Sequence, residues 1–323
     1  MKMLKRLLLA MFFLLLVGAA FFVVITKKFT DSYVLSKRIE LIIPKGAGLN
    51  QTAVILAKNG VVEDGRWFML YARVMGLAGR LKAGEYVFEG GVSLETIANK
   101  LVSGDVMVRS LTIPEGKALA EIKKIVKENP YLSGEITLAL KEGEILPETY
   151  HFIRGEARDS ILEKARQAMK KELATAFAGR DVRVPLKSEQ ELLTLASIVE
   201  KETGVASERA KVASVFVNRL NLGMRLQTDP TVIYAVTNGQ MNLGRPLYRK
   251  DLSYDSPYNT YVYAGLPPAP ICSPGREAIR AAAHPDTTKY LYFVADGITG
   301  GHRFAKTLSE HNANVVLYRK SQR

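Results

Sequence analysis

Two glutamates at the end of an apolar helical run are the residues of this chain best placed to do chemistry. The run reads Ala196-Ser-Ile-Val-Glu200-Lys-Glu202-Thr203. A carboxyl set against apolar surface loses the hydration of its charged form and holds its proton to higher pH, which keeps a general acid loaded near neutrality. Helical spacing puts Lys201 on the solvent side, opposite Leu192, Ala196 and Val199, with Glu200 and Glu202 on the two flanks of the apolar face. Spacing alone does not choose between them. Glu202 follows Ile198 and Val199 at i+4 and i+3 and sits in the last turn, where the helix dipole disfavours a further anion. Both effects lean towards Glu202 as the acid. The plain alternative is a pair of solvated glutamates facing Lys201 or Arg209.

The elements that must position this helix end are legible in outline. Ile39–Ile43 reads as a strand stopped by Pro44-Lys-Gly46, and Leu49, Ala53, Leu56 and Ala57 are spaced as a helix face. Trp67–Met75 reads as a second helix, Leu81–Phe88 as a strand, and Ser93 caps a helix reaching Ser103-Gly104. Ile42-Ile-Pro-Lys-Gly46 recurs as Thr112-Ile-Pro-Glu-Gly116 before the Leu119–Val126 helix, so two related strand–turn–helix units are expected. Ser160–Phe177 reads as a charged amphipathic helix. Ser188–Thr203 is the carboxylate helix, with Ser188 and Glu191 forming a capping box. Glu208–Leu222 continues as a helix. After Gly223 the chain turns loop-rich, with Asp229-Pro230 in a turn. A helix is expected over Arg276–Ala283 and a strand over Tyr290–Ala295.

Composition narrows the class. The chain has 323 residues, 47% hydrophobic and 24% charged, which describes a globular protein with room for about two domains. A net charge of +13 suits an anionic membrane surface or an acidic polymer. Nucleic acid is not an expected partner, because no zinc-finger or RNA-recognition signature is present and aromatics are not interleaved with basic clusters. The single cysteine, Cys272, excludes an intramolecular disulfide and reads as a bystander thiol.

Leu7–Ile25 is an uninterrupted apolar run, long enough to cross a hydrocarbon core of about 30 Å as a helix. Lys2, Lys5 and Arg6 precede it and Lys27 and Lys28 come after it, which favours a cytoplasmic N-terminus. A cleaved signal peptide is the competing reading; its apolar core would be long and no small-x-small site comes after it. The expected organisation is a cytoplasmic tail over 1–6, a transmembrane helix over 7–26, a linker over 27–38, a small module over 39–110 and a larger domain over 111–323.

Several function classes lack their residues. There is no Ser-x-x-Lys for an acyltransferase. His151, His284, His302 and His311 show no metal-ligand spacing, so no metal is expected. No phosphate-cradling glycine loop is present, and no cofactor is expected.

The blocks Ala196–Thr203, Ser207–Arg209, Val212–Leu220, Gly223–Tyr234, Tyr258–Tyr261, Gly265–Pro268, Ala281–Pro285, Tyr290–Gly297 and Gly301-His302 resemble, in order, the YceG-like endolytic murein transglycosylases. Glu142-Gly143 and Leu146–Tyr150 resemble a further block of that family. The resemblance implies an α+β fold: an N-terminal transmembrane helix, a LysM-like glycan-binding module over 39–110 and a larger mixed catalytic domain over 111–323. It implies cleavage of the β-1,4 bond between N-acetylmuramic acid and N-acetylglucosamine within peptidoglycan glycan strands, leaving 1,6-anhydro ends. Glu202 matches the family's catalytic glutamate. Gln227, Thr228, Asp229, Tyr258 and Asn259 are suited to gripping acetamido and hydroxyl groups, while Asn218 and Arg219 are equally suited to structure. Asp229 or Glu148 could supply a second carboxyl, which would restore hydrolysis, and His302 could contact substrate. The implied placement is a single-pass inner-membrane protein of a Gram-negative-like cell, its catalytic domain periplasmic, working beside cell-wall synthases (penicillin-binding proteins). A muramidase-type hydrolase and a non-catalytic peptidoglycan-binding scaffold are the alternatives.

Overall fold

A computed structural model describes residues 2–240 and 242–322; Met1, part of the expected tail, lies outside them. The chain divides between Arg109 and Ser110 into two compact units.

The first unit opens with α1 (Lys2–Thr30), a single helix that takes in the expected span. Over Met11–Thr30 it is long and apolar enough to cross a membrane, a property that signal sequences share. Its last turn docks on the remainder of the unit. Phe29 meets the Tyr71 ring edge-on at 5.0 Å, and Lys28 lies 3.7 Å from Glu63. Then come β1 (Tyr33–Val34), β2 (Ile39–Ile43), α2 (Leu49–Lys58), α3 (Gly65–Val74), β3 (Gly84–Phe88), β4 (Gly91–Val92) and α4 (Leu94–Ser103). β2 pairs antiparallel with β3, Ile39 opposite Phe88, and β1 pairs with β4. Alternation along β2 sends Leu41 and Ile43 into a core with Leu56, Phe68, Tyr86 and Ile97. Asp64 caps α3 by accepting from the Arg66 amide at 2.8 Å. Ser93 and Thr96 form a capping box on α4, and Gly104, at φ +75°, ends it. Arg109 closes the unit with a two-pronged ion pair to buried Glu85, both contacts at 2.9 Å.

β5 (Val108–Thr112) crosses into the second unit, which then holds α5 (Leu119–Glu128), β6 (Thr149–Ile153), α6 (Arg158–Ala178), α7 (Glu189–Glu202), α8 (Arg209–Asn221), α9 (Asp229–Val236), α10 (Arg276–Ala283), β7 (Tyr292–Ala295), β8 (His302–Ala305) and α11 (Leu308–Ser321). β5 pairs with β6, and β7 with β8 as a hairpin, Tyr292 opposite Ala305. α7 is the hub. Every residue from Leu192 to Val199 is buried, and α6, α8, α9 and α10 pack around it. A helix mostly apolar around its circumference, with Thr194 and Ser197 bonded to its own backbone, must be enclosed on all faces.

The fold is mixed α and β, as expected, with helices forming the frame and the strands of the described residues pairing two by two. The repeated Pro-x-Gly turns share local form: Gly46 and Gly116 sit at φ +81° and +71° between strand and helix. Their strands take different partners, β2 with β3 and β5 with β6. At the start of α7, Ser188 accepts from the Glu191 amide at 3.2 Å, but the Glu191 carboxylate reaches the Lys187 amide at 2.6 Å, one residue short of a true box. The sequence reading did not place β6, α9, β8 and α11, and β1 falls in the expected linker.

Gly143 is held at φ +83° against Pro270 and Leu193, and a Cβ there would lie 2.8 Å from two Pro270 carbons. Left-handed strain and overpacking act together, so Gly143→Ala should lower stability by about 2–4 kcal/mol. Urea unfolding of the variant checks this, and an unchanged midpoint would show that the turn relaxes freely.

Candidate active site

The two glutamates leave α7 in different directions and meet different surroundings. Glu200 accepts the Gly275 amide at 3.0 Å, just ahead of α10. Burial pushes its carboxyl up, the Gly275 bond opposes this, and Glu115 and Arg209 add smaller pushes of opposite sign. Lys201 is not free in solvent. It is half-buried against Gly116, with Nζ 3.4 Å from that carbonyl oxygen. The backbone around it is fixed by a bridge in which Gly116 N–H donates to Ser273 and Ser273 N–H to Lys117. Glu200 thus belongs to a packed junction between the α5 turn and the α10 turn.

Glu202 opens instead onto a cleft of about 360 Å³. Phe216, Leu226, Phe293 and Leu308 give it apolar walls; Arg219, Gln227, Asp229, Tyr261 and His311 give it polar ones. Burial pushes the Glu202 carboxyl up to about 7. A hydrogen bond from the Thr228 hydroxyl pulls the other way, the Asp229 charge pushes further up, and His302 pulls down. A carboxyl held this high can keep a proton near neutral pH and, once it has given it up, accept one back.

Thr228 and Asp229 reach Glu202 because Thr228 is the N-cap residue of α9 and Asp229-Pro230 its first turn. The Thr228 amide is tied to the Thr260 hydroxyl at 3.1 Å, and Thr231 bonds Thr260 at 2.9 Å and the Thr228 carbonyl at 2.7 Å. Gln227, just before, sits at φ +52°, a conformation that costs a non-glycine residue and persists only where its surroundings impose it. Arg219 is the main restraint. Its buried guanidinium donates to the carbonyls of Arg225, Leu226 and Leu291 and to the Gln227 side chain, and lies over the Tyr292 ring. Asn218 is also structural, donating to Thr288 and Tyr290 carbonyls.

The other named residues fall elsewhere. Asn259 is fully buried, its amide group bonded to Leu252, Tyr254 and Tyr261 backbone. Tyr258 packs on Tyr234 and lines a separate depression with Tyr254 and Asp255. Glu148 pairs with Arg276 at 2.6 Å, which also holds Glu172, and is not among the cleft-lining residues. His302 lies on β8 rather than in a loop, its Nδ1 2.7 Å from Glu208.

Sequence reasoning missed Tyr261, whose hydroxyl donates to Asp229 at 2.6 Å, and the Glu208 partner of His302. It also missed Glu142. Burial pushes that carboxyl up to about 7 against bonds from the Leu119 and Gly143 amides and the Tyr234 hydroxyl. A raised pKa alone therefore does not mark the site; Glu202 has one together with an open cleft. Among the described residues no group of carboxylates, histidines or the cysteine could hold a metal ion.

A profile of the YceG-like family matches residues 41–316. The chain belongs to that family. It is 35% identical over 317 residues to the endolytic murein transglycosylase of Bacillus subtilis, covering 88% of this chain and 86% of that one. It is 29% identical over 331 residues to the Streptococcus pneumoniae protein of the same name, covering 88% of this chain and 59% of the relative. A crystal structure of a yceG-like protein from Listeria monocytogenes superposes with a TM-score of 0.53 at 31% identity, over 86% of this chain and 99% of that one.

In this YceG-like site the Glu202 carboxyl should titrate near 7. Asp229→Asn removes a raising charge and should move the midpoint down; Thr228→Val removes a lowering bond and should move it up. Carboxyl carbon NMR of labelled glutamates, with Glu202→Gln to assign the signal, measures all three.

Proposed function

We propose that this chain is a lytic transglycosylase that cuts within peptidoglycan glycan strands, with Glu202 as its acid and base. The observation that carries the reading is a carboxyl poised near 7 that opens, beside Asp229, onto a cleft large enough for sugar rings. Its relatives' shared name supports the same substrate class.

The chemistry needs little else from the protein. Protonated Glu202 gives its proton to the oxygen of the β-1,4 bond between N-acetylmuramic acid and N-acetylglucosamine, and that C1–oxygen bond breaks. The leaving sugar departs with a new hydroxyl. Glu202, now a carboxylate, takes the proton from the muramic C6 hydroxyl, whose oxygen bonds to C1 and closes a 1,6-anhydro ring. The nucleophile belongs to the substrate, so one carboxyl serves twice. Asp229 contributes charge beside it while engaged by Tyr261. Gln227, held in its strained pose by Arg219, presents an amide to the cleft.

α1 acts as a single-pass anchor, with the catalytic unit on the outer face of the inner membrane, beside cell-wall synthases. The compact unit after it, three helices and two strand pairs around its own core, acts as a LysM-like glycan-binding module. Its size and separate core support that role.

Purified full-length chain in detergent should release muropeptides with 1,6-anhydro ends from intact peptidoglycan, read by mass spectrometry. Glu202→Gln should lose activity by at least about 100-fold, the scale of a missing general acid. Reducing ends from the unaltered chain would point to a hydrolase that uses Asp229 as its second carboxyl. Full activity in Glu202→Gln would discard the assignment.

A further inference from the structure

The side of α3 beside the anchor helix has no role in the cleft chemistry, yet it is built in an unusual way. Glu63, Trp67 and Tyr71 stand at i, i+4 and i+8, along one side of α3 and its N-terminal approach. The outer two touch the end of α1: Glu63 lies 3.7 Å from Lys28, and Tyr71 meets Phe29 at 5.0 Å. Trp67, the only tryptophan of the chain, lies between them and is half-buried. Next to this row the helix shows solvent an apolar stripe, with Leu70 37%, Val74 65% and Met75 55% exposed. Arg66, paired with Asp64 at 2.7 Å, and Arg73 run along one side of the stripe, and exposed Lys27 stands on the facing turn of α1.

Depth along the anchor decides what this stripe meets. The apolar run ends at Ile25, and Phe29 comes four residues later, about 6 Å further along the helix axis. The headgroup layer on each side of a bilayer is about 5–8 Å thick. Phe29, and the Tyr71 ring against it, therefore fall within that layer or at its edge. Trp67 is carried to the depth where tryptophan is enriched in membrane proteins. Apolar side chains flanked by arginines are the composition of helices that lie in this layer, and basic residues there are drawn to anionic headgroups.

We propose that α3 is an interfacial helix that binds anionic phospholipid headgroups, with Trp67, Leu70, Val74 and Met75 entering the headgroup boundary and Arg66, Arg73 and Lys27 meeting phosphate. The proposal rests on the reading of α1 as a membrane span. It gives the first unit a fixed seat on the bilayer rather than a free tether.

Trp67 is its own reporter. Full-length chain is placed in lipid nanodiscs carrying a nitroxide either on the headgroup or deep in the acyl chain, with and without phosphatidylglycerol. The headgroup nitroxide should cut Trp67 emission about twofold, more than the deep one, as expected for a residue of the interfacial belt. Phosphatidylglycerol should strengthen the quenching, and Arg73→Gln should remove that gain. Leu70→Glu with Val74→Glu should reduce quenching while the chain stays in the disc. Unquenched Trp67 in disc-bound chain overturns the proposal and leaves the anchor reading intact. So does quenching indifferent to the glutamate pair or to phosphatidylglycerol. Chain that elutes apart from the discs overturns both.

Discussion

Eight consecutive buried residues in α7, from Leu192 to Val199, set the terms for the rest of the second unit. Such a helix has no solvent face, so other elements must cover every side of it, and α6, α8, α9 and α10 do. When that helix ends, its last turn emerges inside the protein rather than at the surface. Any ionisable group placed there starts from an unfavourable position, because burial disfavours its charged form. Glu200 and Glu202 both show this upward push. What separates them is their partners. Glu200 is closed in by a backbone amide and a packed turn, whereas Glu202 is offered a hydroxyl, a neighbouring charge and an opening.

The cleft is in turn a consequence of one buried cation. Arg219 holds together two stretches, at residues 225–227 and at Leu291-Tyr292. Carbonyl groups that would otherwise be left unbonded inside the protein are satisfied by its Nε and Nη1 donors. Its place on α8, which packs against α7, fixes the opposite wall relative to Glu202.

Much of this was legible from residue patterns. The caps of α4, the extent of α10 and the strand–turn–helix repeat come from local rules that the structure obeys. Spacing could not choose between Glu200 and Glu202, since the flanks of a helix are equivalent until a neighbour arrives, and the neighbours come from residues 228 and 275. α9 was hidden because Thr-Asp-Pro signals a turn and a helix start alike. α11 was hidden for a different reason: none of its described residues is buried, so it carries no apolar period to read. Tyr261 and Glu208 lie inside family-like blocks, but local spacing gives no role for either, because each acts through a partner more than thirty positions away.

The hub helix also imposes an order in time. Ser197, buried in the middle of α7, accepts the Ile271 amide at 3.1 Å, and the Cys272 thiol donates to the Ser197 carbonyl at 3.3 Å. These partners lie 74 and 75 residues further along the chain. At about 5–20 residues per second, a ribosome needs roughly 4–15 s to deliver them after α7 has been made. For that interval the buried stretch of α7 waits without this part of its cover.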